Sequence, residues 1–204
     1  MEITLVEPAA VLGPPRRVLA KLALSLALVG IVGALTSSSA VAAWREATRS
    51  DTAAGLPGGT VLLTNDGAGS PMFTLPNLAP GDSATSYIRI GYGGSLPASV
   101  RLYGATGGAG LARFLHVRVV RGQGGEGSFV ADATDYVGAG AGVVYDGDLA
   151  GFPDRFDKAI VDPGTWTTAD QHTYRLTVLF RGSDAAHALS ASQAFAWEAR
   201  PVSP

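Results

Sequence analysis

From residue 60 onward, apolar and polar side chains alternate in short runs separated by glycine, proline and aspartate, which is the period of half-buried β-strands. The clearest run is 172–181, where Tyr174, Leu176, Val178 and Phe180 share one face and Thr173, Arg175, Thr177 and Arg181 the other. Ile88, Ile90 and Tyr92 alternate with Arg89 and Gly91, and Ala98, Val100 and Leu102 alternate with Ser99, Arg101 and Tyr103. Gly93-Gly94-Ser95 between these two runs predicts a turn that pairs them as neighbours. Leu115, Val117 and Val119 against His116 and Arg118 give a further strand, and Phe195 and Trp197 against Ala194, Ala196 and Glu198 a C-terminal one. Residues 60–64 and 72–75 are shorter candidates, and 126–130 and 141–145 carry the weakest alternation. Seven to nine strands in this length predict an all-β fold of two sheets packed face to face. Residues 148–152 and 154–160 lose the alternation and predict short helical connections, with Asp148 and Asp154 as N-caps. Glycine clusters at 107–110 and 122–127 predict long loops.

The N-terminal part follows another pattern. Arg16, Arg17 and Lys21 precede an apolar run from Leu22 to Leu35, and small residues follow to Ala43, which is the order of a signal peptide. Ala40-Val41-Ala42 offers a cleavage site, so 1–42 is read as the signal peptide, removed by signal peptidase during export. The apolar run is shorter than the roughly 20 residues a spanning helix needs, and an uncleaved leader is the one route to membrane attachment. Arg16-Arg17 with Leu19 and Lys21 keeps the spacing of a twin-arginine signal, although the core that follows is apolar enough for ordinary secretion. Residues 43–59 are polar and glycine-rich with no sustained period, and read as a flexible arm ahead of a sandwich domain over 60–204.

Composition narrows the chemistry. The chain has no cysteine, so an exported domain must rely on its core alone, without disulfides or thiolate sites. Its 15 basic and 17 acidic residues give a net charge of −2, which leaves no electrostatic reason for nucleic-acid binding. His116, His172 and His187 belong to no metal-ligand motif, and no G-x-S-x-G elbow is present. Seven aspartates lie between Asp132 and Asp162, and Asp146 and Asp148 with Asp154 or Asp157 have the oxygen chemistry of a calcium site, but the spacing matches no calcium loop. Their bland reading is a solvated face. Arg89, Arg101, Arg118 and Arg175 fall on polar strand faces, where they suit pairing with carboxylates on neighbouring strands. No catalytic, cofactor-binding or metal-ligating residue is assigned from these patterns, and the reading is non-enzymatic.

A resemblance adds to this reading. The leader is followed in order by Gly58-Gly-Thr-Val-Leu-Leu-Thr64, Phe73-Thr-Leu-Pro-Asn-Leu-Ala-Pro-Gly-Asp-Ser83 and Ile88-Arg-Ile-Gly-Tyr-Gly-Gly-Ser-Leu-Pro97. This series resembles the TasA/camelysin family of exported bacterial biofilm-matrix and fibre-forming proteins. The most recognisable part is the turn built from Leu78, Pro80, Gly81, Asp82 and Ser83. The match runs over 18–103, with looser likeness at 174–180 and 195–198, and leaves 104–165 without a counterpart. The chain also carries Ala43-Trp44-Arg45-Glu46 where the family has an aromatic-rich stretch.

The resemblance implies a jelly-roll-like sandwich that is secreted, extracellular or cell-wall associated. It also implies self-association into fibres by donation of the N-terminal arm, here with Trp44 and Leu56 as its only large apolar anchors. Two alternatives stay open: a camelysin-like secreted metallopeptidase, and a non-polymerising cell-surface module whose glycine loops at 104–110 and 122–127 bind a ligand.

Overall fold

The computed structural model describes residues 41–50, 59–67, 71–76, 78–182, 186 and 188–202. The leader up to residue 40, Leu56 and His187 lie outside the described residues. The strands are β1 (Val41–Ser50), β2 (Leu63–Asn65), β3 (Pro71–Pro76), β4 (Ser83–Tyr92), β5 (Ala98–Gly107) and β6 (Leu115–Gln123). They continue with β7 (Val130–Ala131), β8 (Val143–Asp148), β9 (Ile160–Val161), β10 (Gln171–Phe180) and β11 (Ser190–Pro201). One sheet has the order β3-β1-β11-β5-β9 and the other β2-β4-β10-β6-β7, with β8 also on β6. The protein is thus an all-β, two-sheet sandwich.

The alternation read from sequence is the alternation of burial. Ile88, Ile90 and Tyr92, Leu115, Val117 and Val119, and Tyr174, Leu176, Val178 and Phe180 supply the inner face of the second sheet, all buried. Ala98, Val100 and Leu102 with Phe195, Trp197 and Ala199 face them from the first. A run of ring contacts crosses the core: Tyr145 to Phe152 at 4.8 Å, Phe152 to Phe195 at 5.1 Å, Phe195 to Trp197 at 6.5 Å and Trp197 to Tyr174 at 5.3 Å between centroids. Tilted and edge-on rings of this kind add to the apolar burial that holds the sheets together.

Three expectations are corrected. The strands at 88–92 and 98–102 do not pair. β4 lies between β2 and β10, whereas β5 lies between β11 and β9, so residues 93–97 arch from one sheet to the other. Both runs turn apolar residues toward one core, and an arch satisfies that pattern as well as a hairpin does. Residues 43–50 are not a flexible arm, because they belong to β1, which pairs in parallel with β11 from Val41↔Ser190 to Ser50↔Ala199 and antiparallel with β3. Main-chain bonding on both edges supports a strand whose side chains show no period. Finally, the expected short helical connections are present as single 3-10 turns at 149–151 and 156–158, but neither Asp148 nor Asp154 caps one with its side chain.

The connection from β8 to β9 also covers the outer face of the first sheet. Phe156 packs on Tyr103, Ala159 and Ala196, Tyr103 donates its hydroxyl to Glu198 Oε2 at 2.5 Å, and Arg101 and Arg200 stack on the Phe156 ring. Ala196 and Glu198 are therefore buried although they point away from the main core.

Candidate functional site

The donor segment expected from sequence sits in its own domain. β1 fills the position between β3 and β11, with Trp44 opposite Gln193 on one side and Phe73 on the other by backbone register. The register with β3 shifts between Trp44 and Arg45. Among the described strands this is the one parallel neighbour pair, so no hairpin ties β1 to β11. β1 ends at Ser50, and the next strand among the described residues, β2 from Leu63, belongs to the opposite sheet.

The family-like turn has the geometry its residues call for. Asp82 N–H donates to the Ala79 carbonyl at 2.9 Å, closing a turn with Pro80 and Gly81 at its centre and Gly81 at φ 94°. Proline suits the first central position, and glycine suits the second, where φ is positive. The Asp82 carboxylate accepts the Ala79 N–H at 2.8 Å. Gly81 N–H donates to the Phe180 carbonyl at 2.9 Å and Phe180 N–H to the Asp82 carbonyl at 2.8 Å, so the turn is stapled to the end of β10. Leu78 packs partly buried against the core, and Ser83 opens β4.

A buried ionic network that the sequence reading did not assemble closes one end of the sandwich. Asp162, 4% exposed, accepts the Tyr174 hydroxyl at 2.6 Å on one oxygen and the Trp166 indole N–H at 2.6 Å on the other. Arg121 Nε lies 3.3 Å from Asp162, a charge contact, while Nη1 donates to Asp132 at 2.6 Å and to the Tyr136 hydroxyl at 3.1 Å. Its Nη2 is 2.6 Å from His172 Nε2. An arginine can only donate, so His172 is neutral with its proton on Nδ1, a buried atom that finds no acceptor. Burial raises the Asp162 pKa, against the opposing pull of Arg121 and the two donors. Burial and then the Arg121 charge lower that of His172, and burial next to Asp162 pushes Tyr174 well up. Burial alone would lower Arg121, but Asp162, Tyr174 and Asp132 carry it above its ordinary value. Asp132 and Asp162 were legible only as members of an aspartate-rich stretch, because their partners arrive from β6 and β10.

The other predicted pairs divide. Arg118 meets Asp146 at 2.7 Å across β6 and β8, as expected, and His116 shares that carboxylate at 2.6 Å. Arg175 instead lies over the Phe129 ring at 4.9 Å, Arg101 over Phe156 at 4.6 Å, and Arg89 has no carboxylate partner among the described residues. Aromatic side chains in the connections reach these guanidinium groups where the neighbouring strands offer no acid. The calcium alternative is not assembled: His116 lies against both Asp146 and Asp148, Arg118 takes the other Asp146 oxygen, and no group of three His, Cys, Asp or Glu side chains among the described residues is placed to hold a metal ion. Nor is any helix among them long and apolar enough to cross a membrane.

No protein-family model matches the chain, and no curated protein matches it. Among solved structures, AvmM, described as catalysing macrocyclization in alchivemycin A biosynthesis, is similar over 71% of this chain and 91% of its own. The identity is 10% and the TM-score 0.27, a likeness too slight to carry an argument about this chain.

Proposed function

We propose that this protein is an exported, non-enzymatic structural subunit that self-associates into an extracellular fibre or matrix by exchanging β1 between copies. The reading is supported by one observation above all: β1 is held in the sheet by main-chain pairing to β11 and β3, at the end of the domain where a cleaved leader would leave it. A strand held in this way makes the same hydrogen bonds whether the slot belongs to its own chain or to the next. Occupation of the slot in either form also keeps the long edge of β11 from pairing indiscriminately. Concentration and the link between Ser50 and Leu63 then decide between the closed monomer and an open chain of subunits.

The absence of cysteine gives a direct test. Arg45 and Ala194 are register partners across β1 and β11, so the R45C/A194C variant carries the only two thiols in the chain. Oxidation at increasing protein concentration is expected to yield a ladder of disulfide-linked oligomers on denaturing gels. An internally linked monomer as the sole product at every concentration, including after unfolding and refolding, would overturn strand exchange.

A further inference from the structure

A polar pocket lies along the edge of β4, with Met72 of β3 at one side. Its volume is about 400 Å³, and it is formed by Thr85, Ser86, Tyr87 and Arg89 of β4, the 124–126 glycine turn, Thr173, Asp66 and Met72. That volume falls within the ordinary range of small-ligand sites.

The walls are fixed before any ligand arrives. Thr173 donates its hydroxyl to the Gly124 carbonyl at 2.5 Å, and Ser128 bonds back to Gly125 through both its main chain and its hydroxyl, which pins the turn that carries Glu126. Gly124 holds φ 83°, a conformation that a side chain would strain. The Tyr87 ring rests against Phe129 at 5.6 Å, and Phe129 is covered on another side by Arg175. Asp66 is fixed by accepting the Arg89 main-chain N–H at 2.9 Å, while Asp66 N–H donates to the Arg89 carbonyl at 3.3 Å.

Those two bonds also set the direction of the edge. Because main-chain groups alternate along a strand, the N–H and C=O of Tyr87 and Thr85 point the same way as those of Arg89, toward the pocket. Beyond Ile90, β2 no longer pairs with β4 on this side among the described residues. The pocket thus gathers three kinds of group with no internal partner among the described residues: the Arg89 guanidinium, the exposed Glu126 carboxylate, and main-chain donors and acceptors of the β4 edge.

We propose that this pocket binds a saccharide unit, neutral or N-acetylated. Neighbouring hydroxyls on a sugar ring each donate and accept, which calls for a planar donor fork and a carboxylate in the same pocket, here Arg89 with Glu126 and Asp66 along its walls. The less polar face of the ring requires an apolar surface, here the held Tyr87 ring with Met72. Two carboxylates against one guanidinium leave the pocket net negative, which disfavours phosphate, sulfate and uronic acids. Apart from Met72 of β3, which pairs with β1, the lining residues belong to the second sheet and its connections, so sugar binding is read separately from fibre assembly.

The test is to apply the full chain to an array of neutral, N-acetylated and acidic oligosaccharides. The retained sugar is then titrated by calorimetry against the wild type and the Y87A, R89A and E126Q variants. Retention of neutral or N-acetylated sugars is expected, with at least tenfold weaker binding in each variant. Glu126 is exposed and Gln keeps its shape, so E126Q reads the site without the fold, and R113A, outside the pocket, should bind as the wild type does. Retention of no sugar by the folded chain, equal binding by E126Q and wild type, or a preference for acidic sugars lost only in R89A would each overturn the assignment.

Discussion

Tyr174 donates its hydroxyl to Asp162 at 2.6 Å inside the sandwich, joining β10 to the segment that follows β9. The bond matters because Asp162 is also the counter-charge of Arg121 and the acceptor of Trp166. Removing the carboxylate leaves a buried cation with Asp132 as its remaining ion partner and orphans two donors. Asp162→Ala should therefore lower the unfolding free energy by about 3–5 kcal/mol, as for other broken buried ion pairs. Tyr174→Phe, which removes one hydrogen bond to a charged acceptor, should cost about 1.5–3 kcal/mol. Urea unfolding of the two variants checks the order.

The same network sets a pH dependence. His172 has its pKa lowered by burial and by Arg121, outweighing the opposite influence of Asp132 and Asp170, so between that lowered value and about 6.5 the unfolded chain binds more protons than the folded one. Stability due to His172 is therefore present above pH about 6.5 and is lost as pH falls toward the folded value. Asp162, with a raised pKa, acts in the opposite sense: its contribution weakens as pH rises from about 3.8 through the folded value. The expected outcome is a stability profile that declines below neutrality, with a shallower decline in His172→Gln. Urea midpoints between pH 5 and 8 measure it, and an unchanged slope in the variant would remove His172 from the account.

A third expectation concerns the loop that supplies Asp132 and Tyr136 to Arg121. Asp135 accepts main-chain N–H bonds from Val137, Gly138 and Ala139 at 3.3, 2.8 and 3.0 Å. Its pKa is held low, first by the Gly140 main chain and then by these neighbours. Asp135→Ala should leave the sandwich folded while freeing the loop, seen as faster amide exchange at 137–140 and earlier proteolytic cleavage there. Protection equal to that of the wild type would mean that Asp135 does not hold the loop, leaving Arg121, the Arg118 bond to the Ala139 carbonyl and the Gly142 N–H bond to Thr134 to do so.

Where side chains pack on one core, the fold was legible: the faces of β4, β5, β6, β10 and β11 follow from Ile88, Val100, Val117, Leu176 and Trp197 and their alternating neighbours. What escaped was partnership. Residues 93–97 read as a hairpin turn, although an arch between the sheets sends Ile90 and Val100 inward just as well. β1 escaped because two-sided main-chain pairing leaves no side-chain period to read. The Arg121 network escaped because its members are far apart in the chain, Arg121 and His172 by 51 positions. The Pro80-Gly81 turn was legible because its determinants are adjacent.

Close packing of the strands makes a further prediction at Gly104 of β5. A Cβ there would collide with the main-chain carbonyl of Ala194 and the Gln193 side-chain amide on β11. The obstacle is mainly backbone, so it cannot move aside. Gly104→Ala should destabilise the domain by about 1–3 kcal/mol, the cost of an overpacked site. At Gly125 the added carbon would meet only Arg89 Nη2 at 3.7 Å, an ordinary contact, so Gly125→Ala should change stability far less. Thermal melts of the two variants give the comparison.

The turn before β4 allows conformation and hydrogen bonding to be separated. Nothing lies within 4 Å of a Cβ added at Gly81, so Gly81→Ala probes φ alone, held at 94°. The left-handed penalty for an L-residue is about 1–2 kcal/mol, and Gly81→Ala should lose that much stability. Asp82→Ala keeps φ and removes only the exposed bond to Ala79 N–H, a loss of about 0.5–1 kcal/mol. Since the Gly81 and Asp82 main chains are both stapled to Phe180, strain at Gly81 should also loosen the end of β10. Amide exchange at Phe180 should therefore accelerate in Gly81→Ala and stay near the wild-type rate in Asp82→Ala. Equal acceleration in both would show that the carboxylate, not the glycine, holds the turn in register.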